Sequence, residues 1–137
     1  MLATLIQNNT SINESVTASH VLVLLPKLEK LPNKYDLLGE ETLKAFLARR
    51  QMEFSHLSET PACANLINGT LCAWVMVDLE QPIFDQQTAI RKALQLLLDE
   101  EPSSVHLAVY GNSYQKQLLA RLSVYVAWVT GAVLPVR

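Results

Sequence analysis

The chain has 137 residues, of which 50% are hydrophobic and 18% charged, with a net charge of −2. That balance fits one domain with a real core and excludes a disordered chain. It lacks the basic footprint that nucleic acid or an anionic membrane surface would require of a partner, and its apolar runs are too short to span a bilayer.

The first residues, MLATLIQNNTS, carry neither a basic leader region nor a long apolar stretch, so no secretion signal is expected. Residues 2–7 read as a short strand, and the polar stretch 8–19 as a loop. HVLVLLPK (20–27) is a nearly continuous apolar run of strand length, as expected of a strand covered on both faces. A helix is predicted over 36–51, with Leu43, Phe46, Leu47 and Arg50 at helical spacing. Its acids, Asp36, Glu40 and Glu41, lie near the start and Arg49 and Arg50 near the end, which suits the helix dipole.

Asn68-Gly69 between two apolar runs is a strong hairpin signal, so strands are predicted at 62–67 and 70–78. Cys63 and Cys72 fall in those two strands. Their spacing matches neither a disulfide framework nor a zinc site, and a cytoplasmic protein with reduced thiols is the simplest expectation. A helix follows over 84–100, where Ile90, Ala93, Leu94, Leu97 and Leu98 form one apolar face. SVHLAVYG (104–111) reads as another buried strand. A last helix over 113–130 places Leu118, Leu119, Leu122, Val126 and Val129 on one face. Its second half, VYVAWV, is β-branched and aromatic, so a strand is the alternative there. Strands separated by helices of this length predict an α/β domain, and the hairpin makes the sheet mixed but mostly parallel.

Chemistry-bearing motifs are few. There is no glycine-rich dinucleotide or phosphate loop and no nucleophile elbow. The apolar strand CAWVMV runs instead into DLEQPIFD, whose Asp78, Glu80 and Asp85 sit at a strand's carboxyl end, where α/β ligands usually bind. A paired-carboxylate site is one reading. A solvated turn, with Asp85 favouring the start of the next helix, is the other. His20 and His106 fall at or inside apolar strands and read as structural. His56 stands in the polar loop FSHLSE, which offers too few ligands for a metal.

The stretches HVLVLLPKLEKLP, LLGEETLKAFLARRQMEF, CAWVMVDLEQPIFDQQTAIRKALQLLLDE, VHLAVYG and RLSVYVAWVTGAVLP together cover about 20–134. In order and wording they resemble the N-terminal domain of the leucyl aminopeptidases, the cytosol aminopeptidase family of dinuclear-metal exopeptidases. Where that family ends its central strand in a glycine-bearing segment, this chain reads VMVDLEQP. The resemblance implies a three-layer α/β/α sandwich with a mixed, mostly parallel sheet, macro-domain-like in fold and non-catalytic in role. The catalytic domain, which uses Mn or Zn, is a separate, larger unit whose metal-ligand motif is absent here. The resemblance therefore implies no catalytic, cofactor-binding or metal residue in this chain, and partners that are the family's catalytic domain or further copies of the chain. Two other functions stay open at this point: a module binding a nucleotide-type ligand such as ADP-ribose, and a small enzyme using Asp78, Glu80 or His56.

The closing segment SVYVAWVTGAVLPV carries almost no charge. A helix that is apolar all round is buried on a second side as well. Val124, Ala127, Trp128 and Val133 are the candidate interface residues, and self-association as a two-fold dimer is the expected result.

Overall fold

A computed structural model describes residues 4–7, 19–28, 37–67, 69–102 and 104–129. In chain order they form β1 (Thr4–Gln7), β2 (His20–Pro26), α1 (Glu40–Arg49), a 3-10 turn (Phe54–Ser58), β3 (Ala62–Asn65), β4 (Leu71–Val77), α2 (Ile83–Leu98), β5 (Ser104–Val109) and α3 (Ser113–Val129). The described strands make one five-stranded sheet in the order β1-β5-β2-β4-β3. Every pairing is parallel except the edge pair β3–β4, which is antiparallel. The predicted hairpin is present: Asn65 pairs with Leu71, and the Leu66 N–H donates to the Thr70 carbonyl at 2.8 Å across the turn.

Both faces of the sheet are covered, which explains the unbroken apolar wording of β2 and β4. Alternate residues go to alternate sides. Leu22, Leu24, Ala73 and Val75 pack with Ile90 and Leu94 of α2 and Leu119 and Val126 of α3. Val21, Val23, Trp74 and Met76 pack with Leu43 and Leu47 of α1 and Leu57 of the 3-10 turn. The helices thus lie in two layers, α2 and α3 on one side and α1 on the other.

Two expectations need correction. The helix predicted over 36–51 begins only at Glu40, because Gly39 has φ of 70°, a left-handed conformation that cannot continue a helix; residue 36 lies outside the described residues. The last helix forms as expected, and residues 124–129 belong to it rather than to the alternative strand. Within α3 the buried residues are Leu119, Ala120, Ser123, Val126 and Ala127, while Val129 is exposed. Leu119 and Val126 are buried as predicted and Leu122 packs partly buried beside them, so the inward face is the predicted one widened toward Ala120, Ser123 and Ala127.

A pair of buried hydrogen bonds ties the α1 side together. The Trp74 indole Nε1–H donates to the Leu38 carbonyl at 2.9 Å. The Leu38 N–H donates to the Tyr110 hydroxyl, also at 2.9 Å. The turn that launches α1 is therefore held to β4 and to the end of β5, and neither polar group of Leu38 is buried unpaired.

Candidate site at the carboxyl edge of the sheet

Parallel strands deliver their following loops to one edge, and here those of β2, β4 and β5 converge. Two crevices open there, of about 270 and 440 Å³. Both are lined by Lys27 and Asp78, whose Nζ and Oδ2 atoms are 3.5 Å apart. Glu59, Gln81 and Asp85 complete the smaller crevice, and Leu79, Glu80 and Gln115 the larger.

The loop after β4 is a closed hydrogen-bonded turn. Asp78 Oδ1 accepts the Glu80 N–H at 3.0 Å, the side-chain-to-backbone turn that aspartate forms readily. The buried Gln86 reaches back from α2 and donates its amide to the Leu79 and Gln81 carbonyls, at 3.1 and 2.7 Å. The Glu80 and Gln81 N–H groups, the kind of donor that a phosphate loop would offer to a ligand, are thus both taken by Asp78. The Glu80 N–H, more than the nearby Gln81 amide and Lys27 ammonium, holds the Asp78 carboxyl below its ordinary range despite some desolvation. The Asp78 carboxylate therefore stays ionised at neutral pH. An anionic ligand meets Asp78, Glu80 and Asp85 with Lys27 already paired, which disfavours it.

Compared with protein-family models, with curated proteins and with solved structures, the chain matches none.

The remaining sequence candidates are dispersed. His56 is a local cap: its Nδ1 accepts the Glu53 N–H at 3.0 Å, and the Glu53 side chain reciprocates at the other end of the turn. Among the described residues no group of three or more His, Cys, Asp or Glu side chains is arranged to hold a metal ion. Cys63 and Cys72 are free thiols on opposite faces of the sheet. Burial pushes both up from the usual thiol range, with the Glu100 carboxylate adding to the effect at Cys63, so neither is poised as a thiolate nucleophile.

His106 differs from the satisfied structural histidine expected. Its Nδ1 is sealed from solvent with no hydrogen-bond partner among the described residues, and burial holds the ring below its ordinary value. The unfolded chain therefore binds this proton more readily than the folded one, and stability falls as pH drops below about 6.5 toward the lowered folded value. The urea midpoint is expected to decrease between neutral pH and the range below the ordinary imidazole value. His106→Gln should flatten that slope, and an unchanged slope in the variant would contradict the assignment.

Among the candidate interface residues, Trp128 is 68% exposed. Val124 is half-buried against the core. Ala127 is fully buried and belongs to the core, so it is not available to a partner. Val133 lies outside the described residues. Tyr125 and Val129, exposed by 49% and 52%, join Trp128 on the surface, a membership that the even apolar character of the segment concealed. No described helix is long and apolar enough to cross a membrane.

Proposed function

We propose that the chain is a non-catalytic, macro-domain-like module of the kind that precedes the catalytic domain in leucyl aminopeptidases, working in the cytoplasm through assembly. The observation that carries this reading is the apolar surface on the last two turns of α3, where Tyr125, Trp128 and Val129 are all exposed. Exposed aromatic clusters of this kind mark interfaces. The carboxyl-edge crevices support the same reading, because Lys27 is already paired with Asp78 and the Glu80 and Gln81 N–H groups are taken within the turn.

The occupant of that surface is a second copy of the chain. Tyr114, Leu118, Arg121, Tyr125 and Trp128 recur at intervals of four and three residues along α3, the spacing of a two-helix seam. With two α3 helices antiparallel about a two-fold axis near Tyr125, Arg121 of each copy meets Trp128 of the other, a cation–aromatic pairing that makes the surface self-complementary.

Light scattering tests this. The purified chain is expected to be dimeric, and Trp128→Glu monomeric with its thermal midpoint within a few degrees of wild type, because the indole is exposed. A wild-type chain that stays monomeric at high concentration contradicts the reading.

A further inference from the structure

The opposite edge of the sheet carries a linked set of side chains that assembly does not use. Ser19 Oγ lies 2.8 Å from Nδ1 of His20. His20 Nε2 lies 2.9 Å from Oε1 of Glu100. The carboxylate can only accept, so the single proton of a neutral imidazole sits on Nε2 and is donated to Glu100. Nδ1 is left to accept the Ser19 hydroxyl proton. The order is hydroxyl, base and orienting carboxylate, which is the arrangement that activates a nucleophile.

The backbone holds all three members. The Leu71 N–H donates to the Ser19 carbonyl at 2.9 Å, fixing residue 19 to the start of β4. His20 is the first residue of β2, with its side chain only 12% exposed. Glu100 stands just past the end of α2, which brings it 80 positions along the chain to the imidazole. Ser19 itself faces solvent, so an incoming reagent can reach it.

We propose that Ser19 is a base-activated nucleophile that accepts an acyl group from activated acyl donors, namely thioesters and aryl esters. Ser19 Oγ forms a bond to the carbonyl carbon as its proton passes to His20 Nδ1. The carbon–sulfur or carbon–oxygen bond to the leaving group breaks. The thiolate or aryloxide takes that proton from Nδ1, which regenerates neutral His20 beside an acyl-serine. No oxidant, reductant or metal is needed.

The test uses the whole chain and p-nitrophenyl acetate as acyl donor, with adducts located by peptide mapping. Ser113 is the internal reference: it is exposed, and its helix contains no histidine. Acetylation of Ser19 is expected to run at least ~100-fold faster than that of Ser113, the lower end of what a positioned general base supplies. His20→Gln should bring Ser19 down to the Ser113 rate. Glu100→Gln, in which a positioning residue keeps an acceptor but loses its charge, should slow acetylation about tenfold without moving the thermal midpoint. Equal acetylation of Ser19 and Ser113 in the wild-type chain overturns the proposal, and that comparison needs no variant to fold. So does a folded His20→Gln variant that acetylates Ser19 at the wild-type rate.

Discussion

Trp74→Ala is expected to leave the chain largely unfolded at ambient temperature. Trp74 is fully buried in the middle of β4, facing α1. Truncating a buried tryptophan costs ~3–5 kcal/mol through lost transfer energy and the cavity left behind. Here the change also removes the indole donor to the Leu38 carbonyl. A buried carbonyl without its partner adds ~1–3 kcal/mol. The sum approaches the whole stability of a typical domain, ~5–15 kcal/mol. Trp74→Phe separates the two effects, since it keeps most of the ring volume and loses the donor. Urea titrations followed by circular dichroism should show Trp74→Phe folded with its unfolding free energy lowered by ~1–3 kcal/mol, and Trp74→Ala with no cooperative transition. A Trp74→Ala chain that retains a wild-type midpoint would mean that the indole does not hold the α1 turn.

Gly39→Val is expected to be nearly as damaging, for a different reason. Gly39 has φ of +70°, and a Cβ built there would lie 2.6 Å from Leu66 Cδ2 and 2.8 Å from Trp74 Cζ2. The leucine tip can swing aside, but the indole is pinned by its hydrogen bond. Left-handed backbone costs a side-chain-bearing residue ~1–2 kcal/mol, and overpacking a fixed neighbour ~1–3 more. Gly69 is the natural control. Its φ is +94°, yet nothing lies within 4 Å of a Cβ placed on it, so Gly69→Ala should cost about the backbone strain alone. If the two substitutions lower the melting temperature equally, crowding at Gly39 is not the cause.

How far the sequence could be read depended on how far apart the interacting groups lie. Continuous apolar runs identified β2, β4 and β5, because a strand covered on both faces has no polar positions to alternate with. The period of α2 was clear because one of its faces is polar. α3 was legible as an element and, through Leu119 and Val126, in part of its orientation. Its second half is apolar nearly all round, so periodicity there did not separate the buried Ala127 from the exposed Trp128 and Val129. The start of α1 was misplaced because the controlling fact is a left-handed glycine, and a glycine letter alone does not report its φ. The DLEQP loop was readable as a helix-launching turn, though not its pinning by Gln86 from within α2. The Ser19–His20–Glu100 set and the Trp74–Leu38–Tyr110 clamp join positions tens of residues apart, and no local pattern announces such a meeting.

The position of β2 at the centre of the sheet sets the order in which the molecule can be completed during synthesis. Among the described strands, β2 is made before β3, β4 and β5, and Val21 to Leu25 end fully buried. Its two neighbours are β4 and β5, both encoded much later. At ~5–20 residues per second of elongation, the strand waits for several seconds without either partner. β1 waits longer still, since its described partner is β5 alone. Pairings between such distant segments make for slow folding, and throughout that interval the most water-averse part of the chain is open to other nascent chains. The stationary centre of the finished sheet is therefore its most exposed element while the chain is still being made.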